Sequence, residues 1–173
     1  MNINESKNIF WMKRAINLAS LGTGLTSPNP MVGAVILDKY GNLISEGFHL
    51  KAGSPHAEAM AFNNLKKDSK DGSLYVNLEP CCHQGKTPPC VKRIVESGIK
   101  EVFVSIKDPD QRVAGKGIEY LKQAGINVSI GLCEKESIDL NKAFIHRNLT
   151  GRCYGVLKWA MSIDGRTALI NGQ

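Results

Sequence analysis

A chain of 173 residues, 42% apolar and 22% charged, suits one soluble domain with a few tens of residues to spare. No apolar run reaches the ~20 residues of a membrane span, and Met1-Asn2-Ile3-Asn4-Glu5 has neither the basic start nor the apolar core of a signal peptide. The cytoplasm is therefore the expected location. The net charge of +6 is dispersed rather than gathered into a basic block with interleaved aromatics, so nucleic acid is not an expected partner.

From Ser6 to Ala19, apolar residues at Ile9, Met12, Ile16 and Ala19 recur at helical spacing, and Gly22 and Gly24 end the pattern. Ser27-Pro28-Asn29-Pro30 forces an extended or turned backbone. Asn29 suits either a turn or a ligand contact. The apolar run Met31 to Leu37 reads as a buried strand, turned by Asp38 to Asn42 into a second strand at Leu43 to Gly47. Ser54-Pro55 predicts a helix start, with serine at N-cap and proline at N1, carrying His56, Glu58, Met60 and Leu65. Ser73 to Leu78 reads as a strand ending at the Glu79-Pro80-Cys81 corner. Pro88-Pro89 opens a helix with Ile94 and Val95 inward and Gly98 beyond its end, followed by a strand at Val102 to Ile106. A polar loop from Lys107 to Gly115 leads into a helix to Ala124, a strand at Asn127 to Ile130, and a helix from about Ser137 to Leu149. This alternation predicts a three-layer α/β/α sandwich after an initial hairpin. Residues 1–150 read as one domain. After Thr150-Gly151, residues 151–173 read as a linker and one strand lacking partners.

Five cysteines, three of them within ten residues, do not form a disulfide framework and point to metal or catalysis. Cys133 and Cys153 read as small buried apolar residues. His56, Cys81 and Cys90 supply an imidazole and two thiolates, a donor set suited to tetrahedral Zn²⁺. Three protein ligands leave a fourth position for water, whose pKa the metal lowers to about 7. Cys90, after Pro88-Pro89, lies at a helix start, where thiolates are favoured. Glu58 discriminates between readings, because residues two apart on a regular helix do not face each other. His56 is therefore expected in a distorted first turn, which lets Glu58 reach the water rather than the metal and carry its proton to the substrate. His-x-Glu followed by Pro-Cys-x-x-Cys is the signature of zinc nucleobase deaminases. Here the two cysteines are separated by eight residues, and the intervening loop is long enough to bring its own side chains to a ligand. His49, His83 and Lys86 are candidate donors to a phosphate-bearing substrate, although a structural hydrogen bond or a solvated loop position suits each of them too.

On His56-Ala-Glu58, Leu-Glu-Pro80-Cys81 and His83-x-Gly85-Lys86-Thr-Pro-Pro-Cys90, the chain resembles the deaminase domain of the bifunctional riboflavin-biosynthesis deaminase/reductase. Asn29-Pro30-x-Val32-Gly33, Asp108-Pro109 and Val113-Ala-Gly115-x-Gly117 match as well. The resemblance implies a cytidine-deaminase-like mixed sheet. The implied reaction is zinc-dependent hydrolytic deamination of 2,5-diamino-6-ribosylamino-4(3H)-pyrimidinone 5′-phosphate to 5-amino-6-ribosylaminouracil 5′-phosphate and ammonia. It further implies that His56, Cys81 and Cys90 hold Zn²⁺, that Glu58 shuttles protons, and that Asn29, His49, His83, Lys86 and Asp108 contact substrate. Cys82 and Asp110 depart from the family's usual serine and asparagine. The segment Leu157-Lys158-x-Ala160-Met-Ser-x-Asp164-Gly165-Arg166 resembles the opening strand of the family's NADPH-dependent reductase domain. No reductase activity is expected of this chain, and a separate reductase polypeptide would then be a partner. A sheet edge left unpaired favours a homo-oligomer. The competing readings are a zinc deaminase of cytosine, guanine or tRNA adenosine, and a non-catalytic zinc module closed by Cys82 or His83 as a fourth ligand.

Overall fold

The computed structural model describes residues 3–83, 88–110 and 114–168. In chain order the elements are α1 (Ile3–Ser20), β1 (Gly33–Leu37), β2 (Leu43–Phe48), α2 (Ala57–Asn63), β3 (Ser73–Leu78) and α3 (Cys90–Glu96). They continue with β4 (Glu101–Ile106), α4 (Lys116–Gln123), β5 (Asn127–Ile130), α5 (Glu134–Leu140) and α6 (Lys142–Thr150). The strands form one mixed sheet in the order β2-β1-β3-β4-β5. β1 runs antiparallel to both β2 and β3, while β3, β4 and β5 are parallel.

Strand side chains alternate between two apolar layers, as the period of two requires. Ala34, Ile36, Leu74, Val76, Val102 and Val104 face the core shared with Ala57, Phe62, Ile94 and Leu121 of α2, α3 and α4. Val35, Leu37 and Tyr75 face the opposite core with Met12, Ala15 and Ile16 of α1, against which Leu140 of α5 packs. Burial on both faces explains why β1 and β3 read as continuous apolar runs. The three-layer sandwich with a mixed sheet is the observed architecture.

Four local expectations differ from the structure. Ser54 does not cap α2; its hydroxyl turns back to the carbonyl of Lys51 at 2.6 Å, and His56 occupies the N-cap in an extended conformation. The helix expected from Ser137 to Leu149 is two helices that break at Asn141. Asn141 is only 2% exposed, and its carboxamide accepts from the Met31 amide at 2.8 Å and donates to the Met31 carbonyl at 2.9 Å. Binding the Met31 peptide on both sides fixes Asn141 where a continuous helix would have carried it past. Finally, the strand expected after Gly151 is absent: residues 152–162 carry no regular structure and are exposed, since a strand needs a ladder partner and none lies beside them among the described residues. Cys153, expected to be buried, lies exposed in this segment, while Cys133 is half-buried.

Candidate active site

The topology gathers chemistry at one end of the sheet. The C-terminal ends of the parallel strands β3 and β4 lie there, leading to Cys81 and Asp108. Because β1 is antiparallel to β3, its N-terminal end, preceded by Asn29, lies at the same end, as does the exit of β2 into His49. The N-termini of α2 and α3 then deliver His56, Glu58 and Cys90. Ligands of open α/β sheets sit outside the carboxyl ends of the strands, and a cleft here is lined by Asn29, His49, His56, Glu58, Cys81, His83 and Asp108. Lys86 lies outside the described residues.

Cys81 Sγ and Cys90 Sγ lie 3.5 and 3.4 Å from His56 Nδ1. The three ligand atoms are all within 4.8 Å of one another. Zinc bonds of ~2.3 Å to sulfur and ~2.0 Å to nitrogen at a tetrahedral angle would separate sulfur from nitrogen by about 3.5 Å. The donor set therefore matches zinc in both type and spacing. Cys81 is held as the thiolate, chiefly by a hydrogen bond from Cys90 and also by His56, which pull its pKa down to about 4. The Cys90 amide at the head of α3 donates to the same sulfur at 3.4 Å. Cys90 itself is pushed up, because Cys81 draws on its proton and burial disfavours a second thiolate. His56 is raised mainly by its hydrogen bond with Cys81, against the opposing effect of burial.

Glu58 sits in the first turn of α2, 4% exposed. Because His56 is the N-cap (φ −65°, ψ 160°) rather than a helical residue, two positions of separation do not turn the side chains apart. Burial, reinforced by the charge of Cys81, pushes Glu58 up to about 7. A carboxyl poised near neutrality can both take and give a proton.

His49 is 3% exposed and packs edge-on to His56, with ring centroids 5.9 Å apart. Its Nδ1 lies 3.0 Å from the Pro55 carbonyl, which can only accept, so this nitrogen carries the proton. Burial lowers its pKa, and the neutral ring leaves Nε2 to accept from Asn29 Nδ2 at 3.1 Å. Both ring nitrogens are thus engaged, and His49 orients the Asn29 carboxamide at the cleft. Asn77, fully buried, supports the same segment from below through Gly33 N and Met31 O, at 2.8 and 3.1 Å. Asp108 is pushed up to about 6, first by burial and then by its acidic neighbours Asp110 and Glu79.

Three residues at this end carried no assigned role in the sequence. Phe144 of α6 lines the cleft, but an apolar residue at helical spacing reads as core. Asn141 had a signal, a short polar side chain in mid-helix, where its backbone competition disfavours it. Glu79 stood in the central motif, and a carboxylate closing an apolar strand was the cue.

Residues 5–106 match the family described as the cytidine and deoxycytidylate deaminase zinc-binding region. Over 163 residues the chain is 47% identical to the riboflavin biosynthesis protein RibD of Aquifex aeolicus, covering 94% of this chain and 46% of that protein. Over 164 residues it is 46% identical to RibD of Escherichia coli, covering 95% and 44%. A crystal structure of a diaminohydroxyphosphoribosylaminopyrimidine deaminase/5-amino-6-(5-phosphoribosylamino)uracil reductase from Thermotoga maritima superposes with a TM-score of 0.93 at 42% identity. The match covers 98% of this chain and 49% of that one. The chain thus spans less than half the length of these relatives.

Proposed function

The chain belongs to the cytidine and deoxycytidylate deaminase zinc-binding family, and on that footing we propose that it hydrolytically deaminates 2,5-diamino-6-ribosylamino-4(3H)-pyrimidinone 5′-phosphate in riboflavin biosynthesis. The observation that carries this reading is the meeting of His56, Cys81 and Cys90 with the buried Glu58 in one cleft, in a chain 47% identical to a riboflavin biosynthesis protein. His56, Cys81 and Cys90 would hold zinc. When bound, zinc supplies a Lewis acid that makes water nucleophilic near neutral pH. A carboxylate oxygen of Glu58 takes one proton of the attacking water and passes it to the pyrimidine ring nitrogen, then takes the remaining hydroxyl proton of the added water and gives it to the departing amine. Water adds at the amino-bearing carbon, the carbon–nitrogen bond breaks, and ammonia leaves.

Asn29, held by His49, offers its carboxamide to the pyrimidine edge. Asp108 lines the same cleft, and His83 and Lys86 are assigned to the ribose phosphate. Residues 1–150 form the deaminase domain in this reading, and 151–173 a linker running into reductase-like sequence, with no strand at residues 152–162; the exposure of Tyr154, Val156, Leu157 and Trp159 supports a segment built to be covered. In this reading the enzyme works in the cytoplasm as a homo-oligomer, and a reductase consumes its product.

Purified protein loaded with zinc is expected to release stoichiometric ammonia from the diaminopyrimidinone ribotide, and none from cytidine, guanine or adenosine in tRNA. Release from one of those bases in preference to the ribotide would replace the substrate assignment.

A further inference from the structure

Glu79 is 3% exposed, yet it is a carboxylate at the end of an apolar strand. Its two oxygens divide four backbone N–H groups between them. Oε2 accepts from Asp108 N at 3.1 Å and Gly115 N at 2.9 Å. Oε1 accepts from Gly117 N at 2.9 Å and Ile118 N at 3.2 Å. The first pair belongs to the wall after β4, and the second to the first turn of α4. Gly115, the N-cap of α4, has φ of 88° and no side chain to cap with, so the cap comes from a residue 38 positions away in sequence. Gly117 makes this approach feasible: a Cβ there would meet Pro80 O at 2.1 Å and Glu79 Oε1 at 3.2 Å. A carboxylate whose two oxygens each accept two N–H bonds, at a helix N-terminus, is stabilised by both the hydrogen bonds and the dipole.

We infer that Glu79 is a positioning residue: through these four hydrogen bonds it sets the distance of the Asp108 wall from the His56–Cys81–Cys90 cluster, and so decides how tightly the pyrimidine substrate is held. The inference rests on the deaminase reading above. Glu79 precedes Cys81 by two residues, so the bridge ties the substrate wall directly to the strand end that carries the cluster. An amide at this position keeps the shape but turns two donors toward backbone N–H groups, releasing either the wall or the helix turn.

The test compares Glu79→Gln, Glu79→Asp and Leu121→Ala. Leu121 is a core residue of the same helix that does not line the cleft. Glu79→Gln is expected to raise KM for the ribotide about tenfold or more with kcat little changed and zinc content equal to wild type. Hydrogen exchange at Asp108, Gly115, Gly117 and Ile118 should quicken. Glu79→Asp, which retains charge but is a methylene shorter, should fall between the two, and it carries the test if the glutamine variant fails to fold. Leu121→Ala should lose stability with KM unchanged. Wild-type KM and exchange in both Glu79 variants, or an equal KM rise in Leu121→Ala, would overturn the inference. If the wild type released no ammonia, the functional reading would fail, while exchange at these four amides would still decide whether Glu79 holds the wall.

Discussion

At the scale of the residue, burial determines what each ionisable group can do. Glu58 is desolvated to a pKa of about 7, which suits a group that must be base and then acid within one turnover. Glu58→Gln preserves the shape and leaves His56, Cys81 and Cys90 untouched. It is expected to retain zinc by metal analysis and to lose about 10²–10⁴-fold in kcat; wild-type turnover would sink the proton-shuttle role. Asp108 offers a complementary measurement. Its pKa in the folded protein is raised from 3.8 to about 6, so the folded state binds the proton more tightly than the unfolded chain does. The ionised carboxylate therefore costs stability above pH 6, and that cost fades as pH falls through 6 towards 3.8. Asp108→Asn can still accept from Asp110 N, as the carboxylate does at 2.8 Å. It should raise Tm at about pH 8 and lose that advantage near about pH 4, even as deamination falls. A Tm gain independent of pH would show that the carboxylate's ionisation is not the cause.

At the scale of the element, short segments without regular structure are held by buried asparagines rather than by the sheet. Met31 sits before β1, outside its ladder, and its peptide is gripped by Asn141 on both sides and by Asn77 at the carbonyl. This grip carries Pro30 and Asn29 to the cleft. Asn141→Ala leaves the Met31 N–H without that partner, at a cost of about 1–3 kcal/mol. Denaturant unfolding should report that loss, and KM should rise because Asn29 is no longer anchored. Unchanged stability would mean that water replaces the carboxamide without cost. The same contact accounts for the break between α5 and α6, where helical periodicity alone favoured one continuous helix.

At the scale of the whole molecule, two apolar layers on one sheet make the fold largely independent of the His56–Cys81–Cys90 cluster. Its core includes Met12, Ile36, Leu74, Ile94, Val102 and Leu121, all buried to 2% exposure or less, whereas the cluster sits at the rim where α2, β3 and α3 converge. Chelation of zinc should therefore lower Tm by several degrees, as ligand release from a folded state does, without abolishing the far-UV circular dichroism of the sandwich. Unfolding on chelation at room temperature would place the cluster among the structural zinc sites, whose domains are unfolded without metal. Among the described residues no helix is long and apolar enough to cross a membrane.

The sequence by itself determined the alternation of strands and helices, because periodicity and Gly/Pro punctuation are local properties. It also determined the donor set His56, Cys81 and Cys90 with Glu58, because few residue types can bind zinc or move a proton at such spacings. Tertiary structure alone decided which ends of the sheet coincide. Only the antiparallel placement of β1 beside β3 brings Asn29 and His49 to the cleft from which Cys81 and Asp108 emerge. It alone decided the roles of Glu79, Asn77 and Asn141, whose partners lie 29 to 110 residues away. A buried polar group must find its hydrogen bonds wherever the folded chain supplies them, and no local pattern says where that will be.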